Sequence, residues 1–159
     1  EARAMTGLPP NTSAVVAASA QRWIRFSLSG QDYAVDIRSV REVLSQADIE
    51  PIPGAPAVVL GVINLRGQIV TVLDFGRWLG REPNATPRPL LVMDHLGIVL
   101  ALAIDVIHDV TRLDPDEIKP VPRTGSGERP VPLAGLVVRE AGLLTLLNAD
   151  VLLPQLAQG

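Results

Sequence analysis

The sequence contains no cysteine, which excludes disulfides, thiolate nucleophiles and cysteine-ligated metals. Histidine is nearly as scarce, since the 159 residues include two, His95 and His108. These residues are too few and too scattered to give the ligand spacing of a zinc or other transition-metal site. The absence of disulfides fits a reducing compartment. We therefore expect a cytoplasmic protein with no metal and no cofactor.

Aromatic residues, positive charge and long apolar runs are also in short supply. The aromatic content is two Trp, two Phe and one Tyr, and the net charge is −3. A nucleic-acid-binding face needs a basic surface lined by aromatic side chains, so this composition argues against one. The longest uncharged apolar run, "IVLALAI" at 98–104, is far shorter than the about 20 residues that cross a bilayer. We expect neither nucleic-acid binding nor membrane insertion.

What the chain does have is a globular composition, 47% hydrophobic and 19% charged, divided by prolines and glycines into short segments. Residues 1–20 predict a flexible N-terminal lead-in, and 21–159 predict the folded domain. The polar, proline-broken segment 81–89 is the best candidate for an internal boundary. It divides the domain into two subdomains, at about 21–88 and 89–153.

The first folded segments alternate between apolar and polar residues. This period of two predicts strands at 22–29 and 33–37, joined by a turn at 30–32. The apolar residues that come next recur at near-helical spacing: Ile37, Val40, Val43 and Leu44. Their spacing predicts a short helix over 38–46.

Further apolar runs are separated by turn signals. Runs at 57–65 and 68–75 surround Arg66 and Gly67, where glycine permits the positive φ of a tight turn. Later hairpins are predicted around "HLG" at 95–97 and around Ala141–Gly142, followed by a terminal helical turn. Many short strands with little helix predict a mainly β protein built from compact barrels, two in number.

Catalytic patterns are missing. The chain has no glycine-rich phosphate loop, and "GSG" at 125–127 lacks the lysine and the helix that would complete one. His108, Asp109 and Asp105 leave open an enzyme or small-ligand barrel, but no nucleophile motif accompanies them. The acidic stretch "DPDE" at 114–117 is more typical of a solvated turn than of paired acid–base catalysis. We expect no catalytic residues.

Arg66 stands out, because it is the one cation in the apolar stretch "GVINLRGQIVTVLDF" at 61–75. An arbitrary arginine in a turn would simply reach into water. This turn is bordered by apolar residues, however, and arginine is enriched among interface hot spots. Glu42 is available to pair with it.

The same stretch resembles the signature of the CheW family of bacterial chemotaxis coupling proteins. Other segments resemble further family motifs in the same order: "FSLSGQDYAVDIRSVREVL", "IEPIPGAPAVVLGVINLRG", "LGIVLALAIDVIHDVTRLD" and "LLTLLNADVLL". The resemblance covers about residues 22–153. It implies two small five-stranded, SH3-like β-barrels that share a hydrophobic core, with short helices.

The resemblance also implies a non-catalytic adaptor. Members of the family bind the cytoplasmic hairpin tip of methyl-accepting chemoreceptors and a barrel domain of the histidine kinase CheA. By position, Val40, Val43 and Val110 match family residues that line the receptor-binding groove, and Glu42 and Arg66 match a charged pair at its margin. Apolar residues at such spacing are also common in cores. A CheW-like regulatory domain of a larger kinase, or a receiver-fused adaptor, is the alternative.

Overall fold

The computed structural model describes residues 21–81, 88–121 and 132–158. The predicted lead-in (1–20), most of the predicted boundary (81–89) and the "GSG" loop (125–127) lie outside these described residues. Within them the chain forms ten strands: β1 Gln21–Leu28, β2 Gln31–Asp36, β3 Val40–Leu44, β4 Val59–Leu65, β5 Gln68–Asp74, β6 Leu90–His95, β7 Ile98–Ala103, β8 Val106–Leu113, β9 Leu133–Arg139 and β10 Gly142–Leu147. Two α-helices, α1 Phe75–Trp78 and α2 Ala149–Ala157, follow β5 and β10, and 3₁₀ helices cover Ile37–Ser39 and Pro115–Glu117.

The strands form two five-stranded sheets, as the predicted fold class requires. Sheet 1 has the order β8-β1-β2-β10-β9, and sheet 2 has the order β3-β6-β7-β5-β4. Neighbouring strands pair antiparallel, except that β2–β10 and β5–β7 are parallel. The mainly β fold with two five-stranded units and short helices is therefore confirmed.

The sheets do not follow the predicted division of the chain at residue 88. Each half of the chain contributes a hairpin, a single strand, a second hairpin and a helix, in that order. The first hairpin of each half joins the sheet of the other half: β1–β2 pair with β8 and β10, and β6–β7 pair with β3 and β5. The two units are therefore interleaved, which local sequence patterns could not reveal, because strand partners are chosen over long separations.

The predicted helix at 38–46 is wrong, because this segment is one turn of 3₁₀ helix followed by the edge strand β3. Asp36 caps the 3₁₀ turn by accepting a hydrogen bond from the Arg38 backbone N–H at 2.9 Å. A β-bulge between Val40 and Glu42 then inserts one extra residue into β3. The bulge places two inward-facing apolar residues three positions apart, a spacing that imitates a helical face.

A shared apolar layer lies between the sheets, and we call it the central layer. Its members come from both sheets and both helices, and they include Phe26, Phe75, Met93, Leu102, Leu147 and Leu152, each at most 1% exposed. Each sheet also encloses a smaller cluster of its own. The predicted common core is therefore present.

One buried ion pair fastens the end of β5. Arg88 donates from Nη1 and Nη2 to the two carboxylate oxygens of Asp74, each at 3.1 Å, and the side chains are 9% and 1% exposed. Asp74 also caps α1 by accepting from the Arg77 backbone N–H. A buried charge is costly without its partner, so each of these two residues depends on the other.

The chain after β3 crosses to the outer edge of β4. Glu50 and Val62 exchange two backbone hydrogen bonds of 2.9 Å there. Gly61 makes this approach possible, since a Cβ at that position would lie 2.1 Å from the Glu50 carbonyl oxygen. Its φ of +148° is also one that other residues rarely adopt.

We therefore expect Gly61→Ala to lower the free energy of unfolding clearly more than Gly54→Ala does. Gly54 also has a positive φ, of +79°, but nothing lies within 4 Å of its Cβ position. The control thus carries the backbone cost alone, about 1 kcal/mol, and the clash should add about 2 kcal/mol or more. Urea titration followed by circular dichroism measures the difference, and equal losses in the two variants would contradict the close contact.

Candidate functional site

The β4–β5 turn presents Arg66. Leu65 and Gln68 pair at the ends of the two strands, and Arg66 and Gly67 have φ angles of 53° and 89°. Positive φ at both positions is typical of a type I′ hairpin turn, in which asparagine or glycine is normally preferred at the first position. Asn64 supports the turn by accepting a hydrogen bond from the Gly67 N–H at 2.8 Å. Arg66 therefore has a backbone conformation that arginine rarely adopts.

The predicted pairing of Arg66 with Glu42 is present in the structure. Arg66 donates from Nη1 and Nη2 to the two Glu42 carboxylate oxygens at 2.6 and 3.1 Å. The Arg66 side chain is 73% exposed, whereas that of Glu42 is 20% exposed. The hydrogen bonds from Arg66 hold the pKa of Glu42 below its ordinary value, and the same bonds raise the pKa of Arg66.

The three valines lie on strands and face the gap between the sheets. Val43 pairs with Leu91 on β6, and Val110 pairs with Ile24 on β1. Directly paired residues share a face, and both partners belong to the central layer, so both valines are on inward faces. They nevertheless remain 42% and 50% exposed, because β3 and β8 are the edges of their sheets.

Val40 differs from the other two, because it is partly buried and packs against the central layer. It is therefore better described as the end of the core than as an open surface. Val43 and Val110 are the accessible apolar residues of the predicted set. We call Val43, Val110 and Arg66 the edge site.

The residues of the alternative enzyme reading each have a local contact. Asp109 accepts two hydrogen bonds from Arg25, and Asp105 accepts one from the Ser29 backbone N–H. His108 lies 3.0 Å from the Ser27 hydroxyl. Each of the three side chains therefore contacts a residue of β1 or of the turn that follows it.

A pocket of about 310 Å³ lies beside the start of α2, and none of the edge-site residues lines it. Its ionisable lining residues pair with each other, Arg38 with Asp36 and His95 with Asp150. Among the residues that the structure describes, no cluster of three or more potential ligands is arranged to hold a metal ion. In the same part of the chain, no helix has the length and apolar character that a membrane span requires.

Sequence reasoning missed Arg41 and its partners. The β3 bulge carries Arg41, whose Nε and Nη2 donate to the Asp94 carboxylate at 3.2 and 2.7 Å. Its Nη1 donates to Gln68 Oε1 at 2.8 Å. Gln68 begins β5, so Arg41 and Glu42 both reach the β4–β5 turn. No sequence motif indicated the contacts of Arg41, because a bulge is set by strand pairing rather than by residue type.

The fold and the edge site define a class of protein. Two interleaved sheets expose apolar side chains at their inward edges, and a carboxylate of the edge strand β3 holds an arginine on the β4–β5 turn. Such a surface is suited to docking another protein, because it combines apolar area with one oriented cation.

Comparison with known proteins identifies the family. The model of the CheW-like domain matches residues 22–157. The chain is 31% identical to the chemotaxis protein CheW of Rhizobium meliloti, over 82% of this chain and 86% of that protein. It is 32% identical to the protein PilI of Pseudomonas aeruginosa, over 66% of this chain and 58% of that protein.

A solved structure agrees with this result. The scaffolding protein TtCheW from Thermoanaerobacter tengcongensis matches with a TM-score of 0.72 and 26% identity, over 80% of this chain and 88% of that one. The chain belongs to the CheW-like family, whose members are non-catalytic scaffold proteins.

The lowered pKa of Glu42 is open to direct measurement. In Arg66→Asn the carboxyl should titrate closer to the ordinary glutamate value of about 4.3, because its hydrogen-bond donors are gone. The pair stabilises the fold at neutral pH, and that contribution is lost as the pH falls through the lowered pKa of Glu42. Carbon-detected NMR of the side-chain carboxyl follows the titration.

Arg77→Asn is the control for that titration, since Arg77 is an exposed arginine of α1. Its replacement should leave the pKa of Glu42 where it is. A Glu42 carboxyl that titrates identically with and without Arg66 would contradict the ion pair.

Proposed function

We propose that this chain is an adaptor that couples methyl-accepting chemoreceptors to a CheA-type histidine kinase in chemotaxis-type signalling. The observation that carries the proposal is the edge site, where Val43 and Val110 stay exposed on the inward faces of two different sheets. Membership of a scaffold family supports it. The protein acts in the cytoplasm and joins the receptor arrays at the membrane through protein contacts.

The receptor's cytoplasmic hairpin tip docks as helices against the two inward edges. A helix places apolar side chains at every third or fourth position along one stripe, which suits a surface bounded by two apolar edges. Val43 and Val110 supply the apolar contacts of β3 and β8. Val40 supports this surface from within the core, where it packs against the central layer.

Arg66 supplies orientation. Its side chain lies largely in solvent and contacts Glu42, the neighbour of Val43 on β3, so it is free to donate to a carboxylate or backbone carbonyl of the docked helix. Glu42 limits the conformations that the guanidinium explores before docking, which lowers the entropy lost on binding. The unfavourable backbone position of Arg66 is explained if the guanidinium is required at that place.

The apolar contacts predict a loss of receptor binding in Val43→Asp and in Val110→Asp. A charge placed in a desolvated contact should weaken binding about tenfold or more. Isothermal titration with a receptor cytoplasmic fragment measures the affinity. Val138→Asp is the matched control, because Val138 is 77% exposed and lies on β9, the edge of sheet 1 opposite β8. Equal losses in all three variants would contradict the assignment.

Arg66→Asn separates docking from folding. Asparagine is favoured at the first position of a type I′ turn, which offsets the small contribution of the lost ion pair, so the variant should be about as stable as the wild type. Its binding to receptor and kinase should nevertheless weaken about tenfold. Co-sedimentation of the ternary assembly, with Arg77→Asn as the control, measures the loss. Assembly at wild-type level would exclude the proposed role of Arg66.

A further inference from the structure

We propose that Arg41 is a positioning residue for Arg66: bound to Asp94 and to Gln68, it holds the β4–β5 turn at the distance from β3 at which Arg66 meets Glu42. The positioning is a property of the free protein. Its consequence for receptor docking rests on the function proposed above.

Side-chain hydrogen bonds join β3 both to its neighbour β6 and to the β4–β5 turn. Arg41 donates from Nε and Nη2 to Asp94, which belongs to the neighbouring strand β6. These two bonds anchor its guanidinium to β6. The remaining nitrogen, Nη1, donates to Gln68 Oε1 at 2.8 Å. Gln68 lies two residues after Arg66, whose guanidinium returns to Glu42, the residue next to Arg41.

The bulge explains how two neighbouring residues of one strand serve the same turn. In a regular strand, adjacent side chains point to opposite faces, so Arg41 and Glu42 would diverge. Between Val40 and Glu42, however, β3 advances two residues while β6 advances one. The extra residue is Arg41, and its side chain and that of Glu42 both reach the β4–β5 turn.

The Arg66–Glu42 pair needs such support. An exposed ion pair gains little from Coulomb attraction and must immobilise two long side chains. Arg66 is 73% exposed, so its own contact restricts the turn only weakly. A second attachment at Gln68 limits movement of the turn relative to β3, and the fork of the Arg41 guanidinium makes both of its bonds at once.

The decisive variant is Gln68→Ala, because it removes the attachment and leaves every charge in place. If Arg41 positions the turn through Gln68, the pKa of Glu42 should rise toward its ordinary value in Gln68→Ala, since Arg66 then spends less time bonded to it. Carbon-detected NMR of the free protein measures this without a partner. Gln158→Ala, at an exposed glutamine that follows α2, should leave the pKa unchanged, and circular dichroism verifies the fold of each variant.

A second arm measures binding of a receptor cytoplasmic fragment. Gln68→Ala and Arg41→Lys should each weaken binding about fivefold, a size that coupling between neighbouring side chains reaches. Lysine keeps the charge but lacks the fork that reaches Asp94 and Gln68 together. Gln68→Glu retains an acceptor for Arg41 and should restore binding to near the wild-type level.

The two arms fail separately. An unchanged Glu42 pKa in Gln68→Ala overturns the positioning role of Arg41, whatever the binding results show. A raised pKa with wild-type receptor binding supports the positioning role and instead removes Arg66 from the proposed docking surface.

Discussion

The central layer between the two sheets is the contact on which the rest of this structure depends. It takes side chains from β1, β2 and β10 on one side and from β5, β6 and β7 on the other, and both helices add to it. Burial of apolar surface is the main force that holds such a layer together. Because the sheets interleave, this layer joins the two halves of the chain as well as the two sheets.

The two exposed valines of the edge site lie at the rim of that same layer. Val40, Val43 and Val110 lie on the sheet faces that enclose this layer. Val43 and Val110 are on edge strands, and no further strand among the described residues covers them. The proposed docking surface therefore requires no separate architecture, since it is the apolar layer continued to the edges of the two sheets. In this proposal the charged residues of the bulge and the turn orient the partner, which the apolar contacts alone do not.

Local patterns predicted local structure well. Alternation and glycine turns identified the hairpins β1–β2, β4–β5, β6–β7 and β9–β10, because pleat and turn geometry are set by neighbouring residues. The segment after Ile37 was misread, because a bulge changes the period of a strand. Arg66 and Glu42 were marked by an unusual position and by family resemblance. Sheet membership, the Asp74–Arg88 pair and the Arg41 contacts depend on residues that meet only after the chain folds, so no single segment encodes them.

The exchange of hairpins between the halves has a consequence for how the chain reaches its native state. The first hairpin, β1–β2, has its sheet neighbours in β8 and β10, about 80 or more residues downstream. Contacts of such long range must close large loops before they gain any stability, which slows folding. During synthesis β1 and β2 cannot complete their sheet until β8, β9 and β10 have been made, and in that interval the incomplete chain exposes apolar surface and strand edges that are prone to aggregation.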